Sequence, residues 1–221
     1  MVIVAGVAET VTFPGGGAAE PAPPPAPDRQ GAHARNRLEQ ARDQAVAIDE
    51  AIYAAVAGTE TPGLDRTIAR LSDAANFSML WLAAAGLLAV AGGPKGRRGA
   101  VEGLAAIGVA SFVANQGLKR VARRSRPERA DHAVASGATR HVRMPSSTSF
   151  PSGHSASAFA FATAVTGRIA WLSAPLHLLA AAVAYSRVHT GVHYPGDVVA
   201  GSLTGVVCGH LVTRISHRVR P

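Results

Sequence analysis

Three short stretches hold residue types that could do chemistry together: KRVARRSRP at 119–127, PSGH at 151–154 and SRVHTGVHYPGD at 186–197. In the first, Lys119 and Arg126 are seven positions apart, close to two helical turns, so on one helix they would share a face about 10 Å apart. In the second, Pro151-Ser152-Gly153-His154 stands where a polar loop gives way to an apolar run. A helix starting there would offer unpaired N–H groups and a partial positive charge to an anion. The Ser152 hydroxyl would add a donor, and Gly153 would let the backbone approach closely. In the third, Arg187 offers a planar fork of donors suited to phosphate oxygens. His193 precedes Asp197 by four residues across a Tyr-Pro-Gly turn. A carboxylate bonded to one ring nitrogen fixes the tautomer and raises the nucleophilicity of the other. Taken singly, each stretch has a plainer reading: a membrane-flanking basic patch, a serine cap, a surface His and Asp. Taken together they are the inventory for holding a phosphoryl group and attacking it.

The elements that must position these residues read as membrane helices. The chain of 221 residues is 48% hydrophobic and 16% charged, with a net charge of +8 gathered in patches. Apolar stretches run over 77–93, 99–118, 154–172, 174–185 and 198–215, the second carrying Glu102, Asn115 and Gln116. A span takes about 20 residues, so the fourth is short unless Ser186 and Arg187 continue it. Small residues dominate all five, which suits close packing in lipid. If each stretch spans, the loops 118–153 and 186–197 fall on the same side of the membrane, and those loops carry the candidate chemistry.

Ahead of the spans, Leu38, Ala41, Ala45, Ile48 and Ile52 recur at helical spacing among charged residues. After the break at Thr61-Pro62-Gly63, Leu64, Ile68, Leu71 and Ala75 repeat the pattern. These two helices would pack on the body or lie at the lipid surface. Residues 14–28, rich in Pro, Gly and Ala, read as a flexible linker, and the apolar start, which lacks a basic region, does not read as a cleaved signal. The expected organisation is a flexible segment 1–30, an amphipathic helical region 31–76 and a transmembrane domain 77–217. A single cysteine, Cys208, excludes an internal disulfide framework and a cysteine zinc cluster.

The three motifs resemble the signature of the type 2 phosphatidic acid phosphatase (PAP2) superfamily, which also contains bacterial class A acid phosphatases and vanadium haloperoxidases. The resemblance covers 119–197 by motif and about 77–215 by helix layout. It implies an all-α, membrane-embedded bundle of about five transmembrane helices, preceded here by the amphipathic extension. It implies that His193 is the nucleophile that forms a phosphohistidine, that Asp197 orients it, and that His154 is the general acid that later activates water. Lys119, Arg126, Arg187, Ser152 and the Gly153 N–H would cradle the phosphoryl oxygens, with no metal and no cofactor. His189 falls at a position the signature leaves free.

The partners implied are membrane lipids and a lipid phosphate: phosphatidic acid, phosphatidylglycerol phosphate, or a polyprenyl phosphate or diphosphate. Selectivity among these would come from helix surfaces and the loop 128–150, and nothing in the sequence speaks to oligomeric state. A multi-pass protein of the plasma membrane is expected. Five spans place the arginine-rich N-terminal region beside the site, which the positive-inside rule reads as cytoplasmic. Leaving out the catalytic cations keeps an outward-facing site open. Two other readings are a vanadium-dependent haloperoxidase, disfavoured by the apolar helices, and a non-catalytic protein binding anionic lipid, disfavoured by an intact His193 and Asp197. Nucleic acid is not an expected partner, because few aromatics interleave with the arginines.

Overall fold

The computed structural model describes residues 29–129 and 140–219, with side chains from residue 36 onward. The linker at 14–28, the reading of the N-terminus as uncleaved, and the middle of the 128–150 loop lie outside the described residues. Residues 1–41 and 42–221 form separate compact units; the second holds the candidate site. Among the described residues the regular structure is helical: α1 (Arg29–Gly58), α2 (Pro62–Ala74), α3 (Met79–Ala91), α4 (Gly93–Phe112), α5 (Lys119–Ala122), α6 (Gly153–Thr166), α7 (Ser173–His189) and α8 (Pro195–Val219). A π-helical turn over Val113–Leu118 joins α4 to α5, and a single 3₁₀ turn, Asn76–Ser78, joins α2 to α3.

Helix starts follow the punctuation of the sequence. Pro62 opens α2, where its missing N–H costs nothing, and Ser152 caps α6 by accepting from the Ser155 N–H. The fourth apolar stretch does continue through Ser186 and Arg187, ending only at His189.

Helix α6 is the hub of the unit, packed against α4, α7 and α8. Its Ala156, Ala158, Ala160, Phe161, Ala162, Ala164 and Val165 are fully buried, and the Phe161 ring lies 5.4 Å from that of Trp81 on α3. Close approach to α8 depends on glycine. A Cβ at Gly201 would come within 2.3 Å of the Ser152 carbonyl oxygen, and one at Gly205 within 2.3 Å of that of Ala156. The side chains turned outward are apolar: Leu82, Leu87, Val90, Val109, Phe112, Leu178, Val199, Leu203, Val207, Leu211 and Ile215 are all exposed. That is the inverse of a water-soluble bundle and fits a hydrocarbon surround.

Two helical stretches, 93–122 and 195–219, are each long and apolar enough to span a membrane, and the pair 62–74 with 76–91, bent by 64°, makes a third if it counts as one broken span. At 1.5 Å per residue α8 is about 37 Å long, whereas α6 reaches only about 21 Å. The hub is therefore shorter than a hydrocarbon core of about 30 Å. Glu102, an oddity in an apolar run, is buried and accepts from Arg168 at 2.6 Å and from Ser216 at 2.5 Å, tying α4, the end of α6 and α8 together at the opposite end of the bundle.

On α1 the apolar stripe forms the outer face. Asp49 and Tyr53 are the buried residues, while Ile48 and Ile52 face outward. The polar face is needed inward because it touches the site.

Candidate active site

The ends of α5, α6, α7 and α8 that carry the three motifs meet at one end of the bundle. They surround a cavity of about 180 Å³ lined on its polar side by Lys119, Arg126, Ser147, Gly153, His154 and His193. Lys119 and Arg126 do not share a helix face. The helix stops at Ala122, Arg123 takes a left-handed conformation (φ 35°), and the chain runs on extended to Arg126. The two cations converge instead on one serine: Lys119 Nζ donates to Ser147 Oγ at 3.3 Å and Arg126 Nη2 to the same oxygen at 3.2 Å.

Arg126 also donates to the Ser147, Thr148 and Val192 carbonyls at 2.8, 3.3 and 2.6 Å, and through Nη1 to His193 Nε2 at 3.2 Å. All five of its N–H groups are thus engaged. A guanidinium only donates, so Nε2 of His193 is the unprotonated nitrogen and Nδ1 carries the proton. That Nδ1 points at Asp197 Oδ2 from 3.4 Å, an open contact that stops short of a full hydrogen bond. His193 is 2% exposed. Burial, aided by the charge of Arg126 and opposed by Asp197, pushes its imidazole down to about 4. It is therefore neutral across the physiological range.

Asp197 is fully buried. Its carboxylate accepts from the Ser149 hydroxyl, from the Tyr194 N–H at 2.9 Å and from Arg124 Nη1 at 3.2 Å. Arg124 also bridges to Asp49 at 2.5 Å and lies 4.1 Å above the Tyr194 ring. Asp49 in turn accepts from the Gly196 N–H at 2.6 Å, pinning the start of α8. Asp197 also anchors the neighbouring motif, since its backbone oxygen accepts from Ser152 N at 2.9 Å.

His154, on the first turn of α6, pairs through Nε2 with Asn76 Oδ1 at 3.0 Å. Arg187 is 1% exposed. Its Nη1 donates to the hydroxyl and carbonyl of Ser72 at 2.6 and 3.3 Å, while its Nε has no partner. Gly153 lines the cavity, whereas Ser152, Arg187 and Asp197 stand behind its wall. The Ser152 oxygen is occupied by the α6 cap and the Ser155 hydroxyl. His189 is set apart in a buried cluster with Asp65 and Arg140, at 2.9 and 3.1 Å from its carboxylate.

Sequence reasoning missed Asp49, Ser72, Asn76, Arg124 and Ser149. All but Arg124 and Ser149 lie outside the motif-bearing part of the chain. Arg124 reads as one of several interchangeable arginines until Asp49 is placed beside it. The one available signal was the polar spacing on α1, which puts Asp49 and Tyr53 on the same face.

A helical membrane bundle that closes two histidines, a lysine and an arginine around one cavity is suited to phosphoric ester hydrolysis at a membrane. The chain belongs to the PAP2 superfamily, whose pattern matches residues 99–221. It is 36% identical over 180 residues to decaprenylphosphoryl-5-phosphoribose phosphatase of Mycobacterium tuberculosis, covering 80% of this chain and 93% of that protein. It is 39% identical over 160 residues to the protein of the same name from Mycolicibacterium smegmatis, covering 70% and 79%. The fold resembles the crystal structure of a transmembrane PAP2 type phosphatidylglycerolphosphate phosphatase from Bacillus subtilis, with a TM-score of 0.62 at 24% identity over 80% of this chain and 88% of that one. The protein is accordingly a PAP2-type membrane phosphatase.

Proposed function

We propose that the enzyme removes the terminal phosphate from a phosphorylated sugar carried on a prenyl phosphate, through a phosphohistidine and without a metal ion, at the plasma membrane. The observation that carries the mechanism is His193: a buried neutral imidazole whose lone pair faces the cavity beside Arg126, with its other nitrogen aimed at Asp197. When substrate enters, Arg126 transfers N–H groups from His193 and Ser147 to phosphoryl oxygens, which frees Nε2 for attack. The Nε2–P bond forms as the P–O bond to the sugar breaks, and His154, which takes up a proton when the phosphate dianion enters among the surrounding cations, gives that proton to the departing oxygen. His154 then takes a proton from water, the water oxygen attacks phosphorus, and the Nε2–P bond breaks to release inorganic phosphate. Asp197 stabilises the cationic His193 ring in both steps.

Charge on the transferring group is met by Lys119, Arg126, Arg187 with its unpartnered Nε, and the α6 N-terminus at Gly153. The substrate class is supported by the relatives that align over most of this chain and bear that activity in their names.

Rapid quench with terminally ³²P-labelled lipid and a chelator present tests the mechanism. The wild-type protein should carry acid-labile, alkali-stable label during turnover, and His193→Ala none. Labelling that survives in His193→Ala, or activity that the chelator abolishes, refutes it.

A further inference from the structure

The catalytic groups account for only part of the cavity. About 10–15 Å³ of such space holds one water, so its volume of about 180 Å³ has room for more than a phosphoryl group. The remaining wall is unusual in three separate ways. Asn115, an amide within an otherwise apolar run, sits on the π-helical turn 113–118 and lines the cavity. Such turns interrupt helices chiefly at functional sites. Phe77 and Ser78 are consecutive non-glycine residues in the left-handed region, at φ 51° and 59°; both line the same wall. That conformation is unfavourable for each, and strain of this kind gathers at ligand-binding positions. Ser111 on α4 and Ser157 on α6 face one another at 3.3 Å in the wall, each keeping hydrogen-bonding capacity to spare.

Among the described residues, neither the Ser78 hydroxyl nor the Asn115 amide has a hydrogen-bond partner. Both side chains are accessible, so their hydrogen-bonding groups are open to a ligand, and with Ser111 and Ser157 they line one space beside the phosphate cradle. A leaving group that carries hydroxyls would satisfy them. Diacylglycerol, whose oxygens next to the phosphate are esterified, could only accept, leaving the Asn115 carbonyl oxygen and the serine oxygens without a donor. At the lip, Phe77 is 94% exposed, which gives an apolar exit for a lipid tail.

We infer that Ser78, Ser111, Asn115 and Ser157 form a leaving-group subsite that hydrogen-bonds the hydroxyls of a sugar, and that this wall selects a phosphosugar lipid over phosphatidic acid. The inference rests on the phosphatase reading above and adds the residues that choose the substrate. The test compares kcat/KM for a prenylphosphoryl-pentose 5-phosphate and for phosphatidic acid, using full-length protein in nanodiscs. The wild type should prefer the sugar lipid. Asn115→Ala should lower the ratio of the two values about ten-fold, as the loss of one or two hydrogen bonds to substrate does, and Ser78→Ala should lower it in the same direction. Asn115 and Ser78 are partly or wholly accessible, so loss of fold is not the expected consequence. A wild type that prefers phosphatidic acid, or variants that leave the ratio unchanged, overturns the subsite while the phosphatase reading stands. Release of phosphate from neither lipid overturns both.

Discussion

Arg120, Arg123 and Arg124 are equivalent in sequence, three cations in a basic run, and the structure separates them sharply. Arg120 meets only Gln116 on the exposed helix, Arg123 is exposed, and Arg124 bridges Asp49 and Asp197 while covering Tyr194. Replacing Arg124 by alanine removes two charge-assisted hydrogen bonds, each worth roughly 1.5–3 kcal/mol. Because the side chain is 23% exposed, and because Asp197 keeps Ser149 and the Tyr194 N–H, the net loss should sit near the low end of their sum, at about 3 kcal/mol. Part of it falls on the catalytic step through looser control of His193. At about 1.4 kcal/mol per decade of rate, a ten-fold drop in kcat is expected. The assay is phosphate release together with thermal unfolding in detergent, run on Arg124→Ala, Arg123→Ala and Arg120→Ala. Only the first should lose both activity and stability. Equal losses in all three would show that the run acts as a lipid-facing charge patch and would refute the bridging role.

The remaining predictions concern titration and packing. His193 is held near 4 in the folded protein and returns to about 6.5 when unfolded. As pH falls from 6.5 towards 4, the unfolded chain therefore takes up this proton first and stability declines. His193→Gln lacks that proton, so the difference in unfolding midpoint, wild type minus variant, should shrink as pH drops from 7 to 4.5; a constant difference would contradict the buried neutral imidazole. Gly205→Leu forces a Cβ into the Ala156 carbonyl and should destabilise the protein by about 1–3 kcal/mol and sharply reduce activity. Wild-type melting and turnover in that variant would rule out the close α6–α8 contact.

Much of the architecture was legible because lipid imposes a simple rule. Five apolar runs were expected to be helical, and each is over most of its length, the third only to Thr166, since nothing but internal hydrogen bonding satisfies a backbone in hydrocarbon. The boundaries at Pro62 and Ser152 were equally local. The geometry of the first motif was not legible: a spacing of seven suggested one helical face for Lys119 and Arg126, and the chain instead turns at Arg123 and brings both cations to Ser147. Periodicity cannot register a helix that ends early. The inward face of α1 was not legible either: its apolar stripe is exposed, and Asp49 and Tyr53 pack inward against partners far along the chain.

What the sequence by itself determined is the chemistry on offer: histidines, carboxylate and cations at spacings that suit phosphoryl transfer, set at the ends of apolar helices. Those are properties of residue type and short-range order. What only the tertiary structure decided is how those groups are held. Ser72 lies 115 residues from Arg187, Asn76 78 residues from His154, and Asp49 75 residues from Arg124. Partners so far apart meet only because packing of the small-residue helices brings α1, α2 and the 76–78 turn against the motif loops. The physical reason is that a hydrogen bond depends on position in space to a few tenths of an ångström, and no local pattern along the chain encodes that.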